Sequence, residues 1–396
     1  MAREASAAVQ LIDVGTVRAF LDERHLAFAE RVSAFARDTI GSYAEPASDD
    51  ECRAQAREIL DLLGDAGWLD PISIPDHRAI CLAREALAAA SPLADAVYAL
   101  QALGATPIVL SGTDAQRERW VADALAGRAM GAFAMTEPEA GSDVASMTTI
   151  ARPDGDGWVL DGVKSFISNA GIADFYTTFA QTEPGKGSKG IACLVVPADA
   201  DGLEYAGPQV LSSPHPLGEI RFHGCRVGAD ALLAGPGEGF KLGLATLERL
   251  RPTVAAAACG MAARALEEAL AHATTRRQFG RPLADFQLVQ EKLARMATRL
   301  TAARLLTYRA AWAKDGGADR IPVESSMAKA YATEAAQRIV DDAVQILGGR
   351  GVLAEHPVDR LYRSVRALRI YEGTTEVQHL LVARHLIEAR TEMEAP

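Results

Sequence analysis

The sequence predicts a mostly α-helical protein with a small β domain in its middle, and three observations lead to this class. Apolar residues recur at helical intervals over residues 17–131. From about Phe133, short apolar runs alternate with Gly and Pro. After Gly239 the helical pattern returns and persists. The predicted order is an N-terminal helical domain over 1–131, a middle β domain over 132–238 and a C-terminal helical domain over 239–396.

The N-terminal helical pattern is carried by large apolar residues. These are Phe20, Leu26, Phe28, Val32 and Phe35, at spacings compatible with one helix face. Gly and Pro separate several segments. Two further segments, at 97–103 and 114–125, are also predicted to be helical.

The predicted β domain is defined by its turns. Asp-Gly pairs at 154–157 and 161–162 flank a short strand at 158–160. Because Gly and Pro are frequent between the strands, we expect a small antiparallel domain of about a hundred residues. Further strands are predicted at 176–181, 190–196 and 220–227.

The C-terminal region predicts helices that pack on one another. Phe286, Val289, Leu293, Met296 and Leu300 alternate by three and four residues, which is the spacing of a helix–helix seam. Long helices with short connections favour an antiparallel bundle.

Composition excludes several classes of function. Hydrophobic residues make up 49% and charged residues 23% of the 396 residues, which is ordinary for a globular protein. The net charge of −11 argues against a nucleic-acid partner. No apolar run reaches membrane-spanning length, so no membrane partner is expected.

Cysteines and the N-terminus indicate the compartment. The five cysteines are scattered, and no spacing suggests a disulfide framework or a metal site, so we expect idle thiols in a reducing compartment. Residues 1–11 lack a long apolar core and do not predict a secretory signal. Abundant Ala, and more Arg than Lys, favour a GC-rich bacterial source and a cytoplasmic protein.

The most informative tract is 370–378, Ile-Tyr-Glu-Gly-Thr-Thr-Glu-Val-Gln. It places Glu372 on a short loop beside Gly373, and Thr375 and Gln378 have the spacing of a capping box. A glutamate walled by apolar groups there could act as a general base. The alternative is a solvated loop acid before an ordinary helix.

Two tracts lie in the first part of the predicted β domain. The tract 133–143 combines Pro and Gly with Thr, Ser and free amides, and would suit the edge of a planar heteroaromatic ring. In 164–171, Phe166 and Ser168 are two residues apart, so both could point to the same side of a strand. Taken singly, the first tract is better explained as a structural loop, and the second as a core Phe with a surface Ser.

Two other tracts end helices. In 276–282, Gly280 suits a helix C-terminus and Pro282 a stop, while the arginines suit either a helix dipole or a pyrophosphate. In 345–351, glycines permit positive φ and close approach of a ligand, or form a plain glycine cap. The latter tract is not a dinucleotide-binding fingerprint, because no strand–turn–helix unit surrounds it.

In this order and at these intervals, the tracts resemble those of the acyl-CoA dehydrogenase family of flavoproteins. The resemblance covers about residues 20–390. It implies an N-terminal helical domain, a middle β-barrel and a C-terminal four-helix bundle. It also implies one FAD per subunit, a homotetramer built as a dimer of dimers, and an electron-transfer flavoprotein as the acceptor.

The resemblance also assigns residues to the reaction. Glu372 matches the family's catalytic base; some members carry that base at the position of Leu250, so here Glu372 has no rival. The base would remove the α-proton of an acyl-CoA thioester while hydride leaves the β-carbon for flavin N5, giving a trans-2-enoyl-CoA. The thioester contacts would come from Glu248, Arg251 and the backbone of Gly373.

The remaining matches concern FAD and CoA. Phe133, Met135 and Thr136 match the loop at the flavin ring edge, and Ser142 matches a contact of the cofactor and of CoA. Phe166 and Ser168 stand where the family often has Trp and Thr beside the flavin. The other FAD-binding matches, several of them to the FAD of the neighbouring subunit, are Arg276, Phe279, Gln287, Gln345, Ile346, Gly348, Gly349, Thr374 and Glu376.

Two segments depart from the family pattern. Residues 69–76 are compressed and residues 211–218 are shortened, and both could reshape the acyl or CoA entrance. His215, in the second segment, is either a substrate-side contact or an ordinary loop histidine.

Three alternatives share this architecture. An acyl-CoA oxidase or a related monooxygenase would use oxygen, although monooxygenase relatives usually lack the glutamate. A dehydrogenase in a biosynthetic pathway would act on an acyl group loaded on a carrier protein. A non-catalytic flavin-containing protein that binds DNA would need a basic surface, which the charge of −11 disfavours.

Overall fold

The computed structural model describes residues 12–74 and 76–394, so the expectation for residues 1–11 lies outside the described part. The predicted class, mostly helical with a central sheet, is confirmed. The helices are α1 Val14–Val17, α2 Glu23–Asp38, α3 Asp49–Asp65, α4 His77–Ala90, α5 Pro92–Ser111, α6 Asp114–Gln116, α7 Ala122–Leu125, α8 Glu238–Thr275, α9 Gln287–Asp315, α10 Pro322–Leu347, α11 Pro357–Leu368 and α12 Thr375–Glu394. The strands are β1 Gly131–Ala134, β2 Ile150–Asp154, β3 Gly157–Ser168, β4 Phe175–Gln181, β5 Ile191–Pro197, β6 Leu203–Pro208, β7 Leu217–Val227, β8 Leu232–Ala234, β9 Arg277–Gln278 and β10 Arg281–Pro282.

The chain forms two compact units. Among the described residues, the bundle unit comprises 12–43, 76–95 and 251–394, and the sheet unit comprises 44–74 and 96–250. The boundaries at 131 and 238 that the sequence predicts for three domains stay a prediction.

The core of the bundle unit is rich in alanine. Ala255, Ala258, Ala262 and Ala265 on α8 are fully or almost fully buried. Small side chains let the backbones of neighbouring helices approach closely. Contacts near the backbone therefore contribute to this core, as do contacts between large side chains. In the predicted seam of α9, Met296 and Leu300 are buried, Val289 and Leu293 pack against the core, and Phe286 lies just before the helix.

One described helix, α5, corrects an expectation about membranes. It is long and apolar enough to cross a bilayer, with a mean hydropathy of 1.5 over its most apolar part. However, 78% of that stretch is buried inside the protein, as is usual for a core helix.

The sheet unit holds an eight-stranded sheet in the order β6-β7-β3-β2-β4-β5-β8, with β1 paired to β4. Three of the predicted strands are found as β4, β5 and β7. The short strand expected at 158–160 is wrong in length, because β3 continues to Ser168 and pairs antiparallel with β7. The sheet is also mixed, since β1 and β4 run parallel.

The five cysteines are buried free thiols, as the sequence predicts. Burial raises the pKa of the Cys52 thiol to about 12. The described residues contain no cluster of His, Cys, Asp and Glu that could hold a metal ion.

Candidate active site

The loop after α11 places Glu372 in a strained backbone conformation. Its φ is 55°, and the φ of Gly373 is 93°. A non-glycine residue in this region costs about 1–3 kcal/mol and persists only where its surroundings hold it. The backbone of this loop therefore needs fixed partners.

Three side chains supply those partners. Arg251 Nε donates to the Glu372 carbonyl at 3.1 Å, and Lys329 Nζ donates to the Gly373 carbonyl at 2.8 Å. Gln378 Nε2 reaches both carbonyls, at 3.3 and 3.0 Å. The structure thus places Arg251, which the resemblance assigns to the thioester, against the loop that carries Glu372.

The Glu372 carboxylate has one buried oxygen, Oε2, with no hydrogen-bond partner among the described residues. Burial raises the pKa of Glu372, although Arg84, Lys329 and Arg251 pull it the other way. The sequence predicts apolar walls, whereas in the structure the charges of Arg84, Lys329 and Arg251 also act on this carboxylate. A carboxylate with a raised pKa and a free oxygen can accept a proton from a ligand.

The backbone amides of the same loop are also available. The described residues offer no hydrogen-bond acceptor to the Glu372 and Gly373 amides. Amides in this state can donate to a carbonyl oxygen of a ligand, and such preorganised donors stabilise a developing oxyanion.

The start of α12 corrects the predicted capping box. The Thr374 hydroxyl, not that of Thr375, accepts from a first-turn amide, that of Val377, at 3.3 Å. Thr375 is the first helical residue, and its hydroxyl donates to Glu334 at 3.0 Å. Gln378 is occupied with the loop carbonyls. Glu376 is exposed in the first turn.

Sequence reasoning missed a buried polar cluster beside Glu372. Arg84 donates to both carboxylate oxygens of Asp95, at 2.8 and 3.0 Å, and to the Thr253 hydroxyl at 2.8 Å. Arg84 and Asp95 are almost wholly buried. Burial also raises the pKa of Tyr371, whose hydroxyl bonds to Arg84. Charged residues within the Ala-rich segment of α4 were the available indication of this cluster.

In the sheet unit, the loop after β1 is held by a buried ion pair. Lys164 Nζ lies 2.9 Å from Glu137 and donates to the Met135 carbonyl at 3.0 Å. Burial opposes ionisation of both partners. It lowers the pKa of Lys164 to about 8, whereas Lys164 and the hydrogen bonds from Thr148 and Thr149 lower that of Glu137 to about 2.

This arrangement brings two predicted tracts together. The Ser165 amide donates to the Thr136 carbonyl at 3.0 Å, which joins the loop after β1 to β3. The Phe133 ring packs on Phe179 at a centroid distance of 4.9 Å. Of the predicted flavin-edge residues, Thr136 thus contacts β3, and Phe133 contacts β4.

Phe166 lies in a bulge of β3. Its φ is 56°, its side chain is 56% exposed, and the register with β7 shifts between Lys164 and Ile167. The bulge interrupts the alternation on which the shared facing of Phe166 and Ser168 was expected. Gln209 holds the bulge by accepting from the Phe166 amide at 2.7 Å and donating to Ser165 at 2.8 Å.

Ser168 and His215 share a hydrogen bond of 2.8 Å between Oγ and Nε2. Burial lowers the pKa of His215 to about 4, so its ring is neutral near pH 7. Ser142 is exposed in the connection between β1 and β2, and no described contact ties it to the other predicted residues. Glu248 is buried on α8.

The tract 276–282 is a hairpin and not the end of a helix, because α8 ends at Thr275. Strands β9 and β10 flank a two-residue turn in which Phe279 and Gly280 both have positive φ, as a type I′ turn requires. The Phe279 side chain is 94% exposed. Arg276 and Gln287 are also exposed.

The glycine turn after α10 is confirmed as a helix end. Gly348 caps it with φ 59° and ψ −133°, a conformation that only glycine adopts readily. Gly349 and Gln345 are exposed, and Ile346 is buried. Burial and the nearby Arg350, Arg276 and His356 lower the pKa of His272. Arg276 at the hairpin and Arg350 at the turn thus form a cationic cluster around His272, a residue that sequence reasoning missed.

The residues of each unit, taken by itself, have chemistry that suits part of a flavin nucleotide. Clustered arginines match pyrophosphate geometry, and exposed aromatic rings on strained backbone suit contacts with planar rings. In the described part of the chain, four non-glycine residues have positive φ, and Phe166, Phe279 and Glu372 are three of them.

Three family models match the chain. They are described as the N-terminal, middle and C-terminal domains of acyl-CoA dehydrogenase, and they match residues 22–128, 132–225 and 237–387.

Curated relatives match over most of their length. A 3-(aryl)acrylate reductase of Clostridium sporogenes is 37% identical, over 93% of this chain and 100% of the relative. FadE25 of Mycobacterium tuberculosis, named a probable acyl-CoA dehydrogenase, is 35% identical, over 93% and 96%.

Solved structures are also similar to this chain. A glutaryl-CoA dehydrogenase in complex with glutaryl-CoA has a TM-score of 0.88 at 30% identity, covering 93% of this chain and 96% of its own. A glutaryl-CoA dehydrogenase of Mycobacterium smegmatis with FADH2 has a TM-score of 0.85 at 28% identity, covering 95% and 98%. The prolyl acyl carrier protein oxidase AnaB has a TM-score of 0.84 at 28% identity, covering 92% and 99%.

Proposed function

The chain belongs to the acyl-CoA dehydrogenase family, FAD-using oxidoreductases that act on CH–CH groups, and we propose that it converts an acyl-CoA to a trans-2-enoyl-CoA with Glu372 as the base. The observation that carries this proposal is the buried Glu372 Oε2, which has a raised pKa and no partner among the described residues.

The role of the protein groups follows from the loop. Glu372 takes the α-proton, and the free Glu372 amide donates to the thioester oxygen, where negative charge develops. FAD, when bound, would supply the acceptor for the β-hydride. Substrate that excludes water raises the pKa of Glu372 further and makes it a stronger base.

In the sheet unit, the residues proposed to contact FAD are Phe133, Met135, Thr136, Ser142, Phe166 and Ser168. In the bundle unit they are Arg276, Phe279, Gln287, Gln345, Ile346, Gly348, Gly349, Thr374 and Glu376. The cationic cluster around His272 supports a pyrophosphate at Arg276.

We further propose a cytoplasmic homotetramer that passes electrons to an electron-transfer flavoprotein. Exposed apolar residues on α12, including Leu380 and Ile387, support an interface between copies. Leu386, also exposed on α12, lines an apolar groove of about 530 Å³ along α9, α10 and α12.

A second candidate is the same reaction on an acyl group carried by a carrier protein. The similarity to a prolyl acyl carrier protein oxidase supports this second candidate. An oxidase differs from a dehydrogenase in fast reoxidation by air and in release of peroxide, so both properties are measurable in one assay.

The test is an anaerobic titration of the FAD-loaded protein with thioesters, following the absorbance of oxidised flavin. The panel contains butyryl-CoA, glutaryl-CoA and 3-phenylpropionyl-CoA, each with a matching carrier-protein thioester. We expect one CoA thioester to bleach the flavin, and Glu372→Gln to retain FAD and lose bleaching. Normal bleaching in Glu372→Gln would refute the assignment of the base. Bleaching by carrier-protein thioesters alone would show that the acyl group is carried by a protein and not by CoA.

A further inference from the structure

We propose that Lys329 is a positioning residue for the dehydrogenation, because its ammonium holds the Gly373 carbonyl and so fixes the loop that carries Glu372. This inference rests on the proposed role of Glu372 as the base. Lys329 lies on α10, 43 residues before Glu372 in the chain.

The contacts of Lys329 point to a specific task. Its side chain is fully buried, and Nζ donates to the Gly373 carbonyl at 2.8 Å. Among the described residues this is its one hydrogen bond, and no carboxylate lies within 4.0 Å of Nζ. A buried ammonium with a single neutral acceptor costs more free energy than an apolar side chain of the same volume. Packing alone therefore does not explain a lysine here.

The Gly373 carbonyl matters because the loop has few backbone bonds. Tyr371 and Thr375 donate to the carbonyls of Ala367 and Arg369, but the amides of Glu372 and Gly373 have no acceptor among the described residues. The orientation of the two peptide planes after Glu372 therefore depends on side chains. Of these contacts, that of Lys329 is the shortest.

A rotated peptide plane would move both functional groups. The strained φ of 55° at Glu372 favours relaxation once a partner is lost. The carboxylate and the amide proposed to meet the thioester would then shift together. Misplacement of a reacting group by about 1 Å costs on the order of a hundredfold in rate.

The charges around the loop define the expected pH dependence. Glu372 is faced by Arg84, Lys329, Arg251 and Asp95, and Lys329 is faced by Glu372, Arg251, Glu334 and Glu376. The ammonium lowers the pKa of Glu372, against the effect of burial. Burial lowers the pKa of Lys329 itself to about 8. Removing the ammonium should therefore raise the pKa of the base.

The experiment compares Lys329→Met with Lys314→Met in the FAD-loaded protein. Lys314 is a matched control, because it too is buried and donates to backbone carbonyls, those of Ala318 and Asp319. Flavin content, melting temperature and the pH profile of kcat/KM are measured for both variants. We expect Lys329→Met to lower kcat about 10- to 100-fold and to move the acid limb to higher pH, and Lys314→Met to leave the profile in place.

A third variant keeps the test decisive if Lys329→Met does not retain FAD. Lys329→Arg preserves charge and donors but does not titrate, so it should keep the acid limb and abolish any alkaline change near the Lys329 pKa of about 8. An unchanged kcat and acid limb in Lys329→Met, or an alkaline change that persists in Lys329→Arg, overturns the proposal. If Glu372→Gln instead reduces flavin normally, the proposed function itself has failed.

Discussion

The ammonium of Lys164 and the carboxylate of Glu137 lie 2.9 Å apart, and their side chains are 0% and 4% exposed. The pair has further partners on both sides, since Lys164 also holds the Met135 carbonyl and Glu137 accepts from the Thr148 and Thr149 amides. This pair determines the path of the loop that is proposed to meet the flavin edge.

We predict that Lys164→Met destabilises the protein by about 3–5 kcal/mol, because Glu137 is left charged, buried and unpaired. The variant should also lose FAD on gel filtration. Urea unfolding and the flavin absorbance of the purified protein measure the two effects. The control is Lys241→Met, which removes an exposed partner of Glu238 and should change stability by less than about 1 kcal/mol. Equal stability of both variants would contradict the prediction.

The Ser168–His215 pair predicts a pH dependence of stability. The folded-state pKa of His215 is about 4, below its ordinary value of 6.5, because the ring is buried. The unfolded chain therefore binds more protons between these values, and stability decreases as pH falls through that interval.

In His215→Asn this loss should be smaller than in the unmodified protein. Unfolding free energies at about pH 7 and pH 5 measure it, an interval that spans the ordinary histidine titration. His223→Asn, which changes an exposed histidine beside Glu204, should keep the original dependence. Identical pH dependence in His215→Asn and the parent would show that His215 is not buried in neutral form.

We predict that the Phe279 side chain contacts the cofactor and does not contribute to the stability of the fold. In Phe279→Gly the turn retains its positive φ at lower cost, so we expect no loss of melting temperature. If the exposed ring contacts FAD, its removal should speed FAD release about 2- to 10-fold, the equivalent of one aromatic contact. Release after dilution is followed by flavin fluorescence. Leu288→Ala, another exposed apolar side chain, serves as the comparison and should release FAD at the parent rate.

The adjacent glycines Gly348 and Gly349 form a matched pair. At Gly348 the φ of 59° makes a Cβ unfavourable, so Gly348→Ala should cost about 1–3 kcal/mol. Gly349→Ala should be nearly neutral, because its φ is not positive and a Cβ would meet no atom within 4 Å. Thermal unfolding of the FAD-free proteins measures the difference. Similar values for the two variants would show that the backbone at Gly348 tolerates a side chain.

Those parts of the candidate site that are formed by residues close together in the chain could be predicted from the sequence. Glu372 beside Gly373, and the glycine end of α10, follow from neighbouring residues and were predicted as loop and turn. The sequence predicts a helix end where the structure has the hairpin at Phe279, because Gly280 and Pro282 are compatible with both. The capping box was misplaced by one residue, since Thr374 and Thr375 are equally good caps and contact with Glu334 selects between them.

The sequence by itself determined the class of the fold, because helical periodicity and Asp-Gly turns are local patterns. The tract 370–378 marks Glu372 as a candidate, and the family resemblance implies its role as the base. Only the tertiary structure decided which groups act on that base. Lys329 and Arg251 reach the loop from 43 and 121 residues away in the chain, and Arg84 joins Asp95 and Thr253 in a buried cluster beside it. Such contacts depend on the packing of distant helices, and burial then shifts the pKa of Glu372, a quantity that residue spacing does not encode.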